Sequence, residues 1–222
     1  MKYLVIFLFL TSFTFAQDLF NDSSNYNSYR SFLLSINTNS LKSLDEAAKK
    51  YSEIFKPGNY AENDNGAELF FNKYLEVVSQ LSDFVNDEEN INAQAIYELD
   101  YNYNGYYNQM LKSKGINEND FQFFGKLKKY SLKLDMSEGM FYVNLANDKY
   151  FFSIVGNYIS DNVKKYYAVL INEYCNEAAE DAGLRISTKD LVDRMITWEN
   201  LYFLNLPNYA KENAKERFSL YL

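Results

Sequence analysis

The stretch from Ser160 to Pro207 constrains the fold more than any other. Val163, Tyr167, Leu170, Tyr174 and Ala178 recur at spacings of four, three, four and four, which puts them on one face of a helix. Ser160 supplies an N-cap, and Asp161 a first-turn negative charge that suits the helix dipole. Gly183, after Ala182, supplies a left-handed C-cap. The expected helix therefore covers 161–181. A second begins at Ser187, where Asp190 completes a shortened capping box. Leu191, Met195, Trp198 and Tyr202 follow at four, three and four, and Pro207 bars continuation. So short a turn predicts two antiparallel helices, with Trp198 buried in their seam.

Acids intrude on this pattern. At about 100° per residue, Glu199 falls between the Leu191/Met195/Tyr202 face and the Val192/Ile196/Phe203 face, so it is expected off the solvated side. On the first helix Glu173, Glu177 and Asp181 form a stripe that drifts towards the apolar seam. With Glu180 they crowd a helix C-terminus, where the dipole disfavours negative charge. Arg185, Lys189 and Arg194 are the nearby cations. One reading is a structural network in which Arg185 and Arg194 neutralise the acids, with an arginine facing Glu199. The other is a cation or ligand site, or a carboxylate of raised pKa such as functional sites often hold.

The whole chain contains no histidine. Ser-His-Asp and Cys-His catalysis, His-ligated zinc and a haem proximal His are therefore excluded. Carboxylate, lysine or tyrosine chemistry, an oxygen-ligated cation, or no catalysis remain. The single cysteine, Cys175, cannot close an intrachain disulfide and reads as a buried, inert thiol. No cofactor is implied. The formal net charge of −8 argues against nucleic acid or an anionic membrane as partner.

Lys2, the apolar run from Tyr3 to Phe15 and the small-residue site ending at Ala16 read as a secretory signal peptide over 1–16, too short to span a bilayer. The implied destination is the periplasm or the outside of the cell. Residues 17–40 are polar, rich in Asn, Ser and Asp, and expected to be partly disordered or to hold a short helix near Tyr29–Ile36. Residues 41–222 then form one helical domain. Its apolar last residues, Phe218 to Leu222, suggest a sequence cut from something longer.

Within that domain, Ser43 and Glu46 read as a capping box for a helix ending before Pro57-Gly58. Asn63-Asp64-Asn65-Gly66 resembles a calcium loop only superficially, because the first and last acids are missing. Residues 67–86 are strongly helical in pattern. Ile91 to Met110 is helical but Tyr-rich, and Tyr101, Tyr103, Tyr106 and Tyr107 offer flat faces with hydroxyls for a sugar or peptide. Lys126, Lys128, Lys129 and Lys133 make a basic face. Met140–Leu145 is a strand candidate without an evident partner.

The expected fold is all-α, an antiparallel or orthogonal bundle of about seven to eight helices with no sizeable sheet. The expected function is a non-enzymatic exported binding or structural protein with a protein or glycan partner, Trp198 and the four tyrosines being binding candidates. One alternative is a carboxylate-dependent glycoside hydrolase. Glu199 would be its general acid and Glu173 its base or nucleophile, two acids at similar heights above the turn. The other is a calcium-stabilised protein using Glu173, Glu177 and Asp181.

Overall fold

The computed structural model describes residues 23–86, 93–94, 97, 118–137, 139–180 and 183–221. Eight helices and two small hairpins are present among them. No helix among the described residues is long and apolar enough to cross a membrane. The signal-peptide segment 1–16 and the tyrosines 101, 103, 106 and 107 lie outside the described residues.

Helix α1 (Ser24–Ser35) opens within the polar N-terminal segment, capped by Ser23, whose Oγ accepts from the Tyr26 N–H. It holds because Tyr29 and Leu33 are buried one turn apart, and the Tyr29 hydroxyl donates to the Ala47 carbonyl at 3.0 Å. Helix α2 (Lys42–Ile54) begins one residue before the expected cap. Ser43 thus sits in the first turn and donates back to the Ser40 carbonyl.

Helix α3 (Tyr60–Val85) starts seven residues earlier than its apolar pattern suggests. Asn63 and Asp64 are wound into it and buried. Asn63 Nδ2 donates to the carbonyls of Lys56 and Tyr158 at 2.7 and 3.0 Å, so two chain reversals are tied to one side chain. Gly66 follows from packing: a Cβ there would stand 2.3–2.8 Å from the ring carbons of Phe55. A glycine that weakens an isolated helix lets the end of α2 press on α3.

Helix α4 (Glu118–Lys129) leads into a hairpin of β1 (Leu132–Ser137) and β2 (Met140–Leu145), antiparallel from Leu132↔Leu145 to Ser137↔Met140. Leu132–Ser137, in which Leu132, Leu134 and Met136 alternate with Lys133, Asp135 and Ser137, is the partner Met140–Leu145 lacked. Gly139, at φ +80°, takes the left-handed turn position. Ser82 of α3 and Asn86, which caps its C-terminus, occupy the free edge of β2. The Val143 N–H donates to Ser82 Oγ at 2.9 Å and the Phe141 N–H to Asn86 Oδ1 at 3.0 Å. Edge groups that would otherwise invite another strand are thereby satisfied.

Helix α5 (Lys149–Val155) carries Phe151 to the centre of the core, its ring 4.6 Å from Tyr167 and 5.3 Å from Phe71. Helix α6 (Asp161–Cys175) has the expected Ser160 cap but ends six residues early, with Asn176 as its C-cap. A two-residue-per-strand hairpin follows, β3 (Ala179–Glu180) with β4 (Gly183–Leu184). Helix α7 (Thr188–Tyr202) begins in the expected capping box, Ser187 with Asp190. Pro207 precedes α8 (Asn208–Leu220). α7 packs most extensively on α8 rather than along α6. It meets α6 through Trp198, which is fully buried against Tyr166.

Tyrosine does much of the cross-bracing. The hydroxyls of Tyr29, Tyr51, Tyr74 and Tyr209 donate to the carbonyls of Ala47, Asn63, Tyr130 and Asp64. Each ring adds apolar burial while its polar tip closes an otherwise open backbone acceptor.

Candidate functional site

Of the acids singled out in the sequence, Glu173 is the buried one among the described residues, at 6 % exposure. Both carboxylate oxygens are engaged. Trp198 Nε1 and the Tyr221 hydroxyl donate to Oε1 at 2.5 and 2.9 Å. Arg217 Nη1 donates to Oε2 at 2.8 Å. The Arg217 guanidinium also lies 5.7 Å from the ring centroids of Tyr174 and Trp198, where the ring faces attract a cation. Burial, then the Glu173 charge, push the Tyr221 hydroxyl up from its ordinary pKa. One carboxylate thus joins α6, α7 and α8 in a closed node.

Of the expected arginines, neither bonds Glu173 itself. Arg194 borders the node, bonding the Tyr221 hydroxyl and opposing its upward shift, while its Nη2 donates to the Asn176 carbonyl at 2.7 Å, at the C-terminus of α6, where a cation suits the dipole. Arg185 is exposed in the turn before α7. The partner of Glu173 comes from beyond Pro207, a reach of 44 residues that helical periodicity does not encode.

Glu199 is exposed, against the expectation that it leaves the solvated side. The reason is the rotation of α7. Trp198 and Leu201 point inward, while Val192, Ile196 and Phe203 are 43 %, 44 % and 74 % exposed. At about 100° per residue, Glu199 lies within that outer stripe. No arginine in a dry seam faces it. Glu173 and Glu199 therefore sit on different sides of α7 and do not flank a common cleft. Trp198 is enclosed, with its N–H spent on Glu173, and offers no face to a ligand.

Glu177 is exposed beyond the end of α6, and Asp181 lies outside the described residues. The stripe linking Glu173, Glu177 and Asp181 is broken because α6 stops at Cys175. Among the described residues no group of three metal-ligating side chains converges. The donors on Glu173 also already fill the positions a cation would need.

A second pair of acids, Asp64 and Glu68, was missed in the sequence. They lie one turn apart on α3, on the side carrying Phe71 and Val78, a placement helical azimuth could have revealed. Ser160 gives Asp64 both its N–H and its hydroxyl, at 2.8 Å each. The Tyr209 hydroxyl donates to the Asp64 carbonyl at 2.8 Å, and Tyr167 and Tyr209 hydroxyls meet at 3.3 Å. Burial raises the Asp64 carboxyl, and the Ser160 bonds pull it part of the way back. Glu68 is pushed up to about 7 by burial alone.

Comparison with family models, with curated proteins and with solved structures finds no match to this chain. The function rests on these residues alone.

Proposed function

We propose that this is an exported, non-enzymatic helical domain that binds a protein partner through the outer face of α7. The observation that carries the reading is the apolar stripe Val192, Ile196 and Phe203, exposed on a helix whose opposite side is anchored by Trp198. Scattered exposed apolar residues are ordinary; three aligned on a rigid helix form a helix-in-groove recognition face. Glu199 within the stripe gives that face a fixed charge, which sets register and excludes mismatched partners more than it adds affinity.

The hydrolase alternative loses support from the same geometry. It asks for two carboxylates about 5–9.5 Å apart across a substrate, whereas Glu173 is closed by three donors and Glu199 faces outward.

Site-specific photo-crosslinking tests the proposal. A benzophenone side chain at position 196, in the producing cells, is expected to give a discrete heavier product that disappears when Phe203→Asp is added. The same probe at position 53, exposed on α2, is expected to give none. Absence of any product from position 196 would overturn the reading.

A further inference from the structure

Resting on the binding face assigned to α7 above, we propose that its partner is a second copy of this chain, docked antiparallel about a two-fold axis level with position 194. Val192, Ile196, Glu199 and Phe203 follow at spacings of four, three and four, and Lys189 stands three residues before Val192. At about 100° per residue, these five positions fall within about 80° of azimuth, opposite Trp198 and Leu201. That is the seam pattern of a helix pair. Its polar members are one cation and one anion, Lys189 and Glu199, and polar residues in a seam select register and partner.

Charge decides the arrangement. With the axis level with position 194, Lys189 of each copy faces Glu199 of the other, and Val192 faces Ile196. Two ion pairs then bracket two apolar layers, and the patch is complementary to itself, as a two-fold interface requires. The other antiparallel seam register sets Val192 on Phe203 and Glu199 on Ile196, which buries a carboxylate against an apolar side chain. A parallel pair sets Glu199 on Glu199 and Lys189 on Lys189, like charges that repel. Glu199 is exposed and has no ion-pair partner among the described residues. The Lys189 side chain is 81 % exposed and bonds Asp193 of its own helix at 2.6 Å, which leaves ammonium donors for the Glu199 of the second copy. The same bond neutralises the two Asp193 carboxylates, which stand on one flank of the axis. α7 has 15 residues and is about 22 Å long. One such helix pair is a small interface, so the dimer is a weak one.

Sedimentation equilibrium of the purified protein, from about 5 to about 500 µM in about 0.15 M salt, tests this. The wild type is expected to dimerise within that range. Lys189→Glu and Glu199→Lys each set like charges across the axis, and each is expected to raise the dissociation constant roughly tenfold or more. Mixed in equal amounts, the two variants are expected to regain a dimer, because each supplies the charge the other lacks. Both positions are exposed, so both variants keep the fold, which circular dichroism checks. A wild type that stays monomeric at about 500 µM overturns the proposal. So does a dimer that both single variants leave intact, or a mixture of folded variants that stays monomeric. A crosslinked product from position 196 whose mass is not twice that of the chain overturns the second copy while leaving a protein partner in place.

Discussion

Arg217 on the last helix reaches back to Glu173 on α6 and closes, at 2.8 Å, a carboxylate that Trp198 and Tyr221 already hold. With the acid at 6 % exposure, removing one partner strands a buried charge. Arg217→Ala is expected to destabilise the fold by about 3–5 kcal/mol. Replacing the pair together, Glu173→Leu with Arg217→Met, is expected to cost much less, because no uncompensated charge remains. Urea unfolding of the single and double variants checks this. A double variant as unstable as Arg217→Ala would refute the charge-stranding account.

Gly66→Ala is expected to destabilise the fold modestly, by up to about 2 kcal/mol. The Cβ of Gly66→Ala would fall within 2.8 Å of Phe55 ring carbons, so α2 must shift or the ring must leave its rotamer. Overpacking of this kind costs about 1–3 kcal/mol, against a gain of about 1 kcal/mol from helix propensity. Phe55→Leu in the same chain is expected to relieve part of the loss, which a double-mutant cycle in chemical denaturation would measure.

The sequence showed the helices well and the contacts between them poorly. The capping box at Ser187 and the cap at Ser160 are local, and the structure has both. The burial of Trp198 was also legible, since a large ring at core spacing has few alternatives. What periodicity could not show is which apolar face meets a neighbour. α7 has two, and the choice between Trp198/Leu201 and Val192/Ile196/Phe203 is made by α8, beyond Pro207. Glu199 was misplaced for that reason. The early end of α6 came from the hairpin at 179–184, whose two short strands leave no periodic trace. Leu132–Ser137 was legible in principle: Leu132, Leu134 and Met136 alternate with Lys133, Asp135 and Ser137, the period of a strand, and its partner β2 is next in the chain.

The orientation of α7 separates neighbouring positions sharply. Trp198→Ala is expected to cost about 3–5 kcal/mol, since it empties a fully buried site and leaves Glu173 one donor short. Glu199→Gln, one residue on and exposed, is expected to stay within about 0.5 kcal/mol of the parent. Thermal and urea unfolding of the two variants decide it. Strong destabilisation by Glu199→Gln would mean that the outer stripe is packed against something.

Stability is expected to fall as pH rises from the acid side, through Glu68. Its carboxyl is pushed up from an ordinary value of 4.5 to about 7 by burial. Between those values the folded chain keeps a proton that the unfolded chain has released, so unfolding becomes easier with rising pH. The contribution is fully present below 4.5 and is lost as pH passes through about 7. Its size is at most about 3 kcal/mol, since Glu68 keeps some contact with solvent. Asp64, raised in the same direction by burial, adds to the slope at the acid end. Urea midpoints across this range, for the wild type and Glu68→Gln, provide the check. The variant is expected to be flatter with pH and more stable than the wild type above neutrality. An unchanged slope in Glu68→Gln would assign the pH dependence to another group.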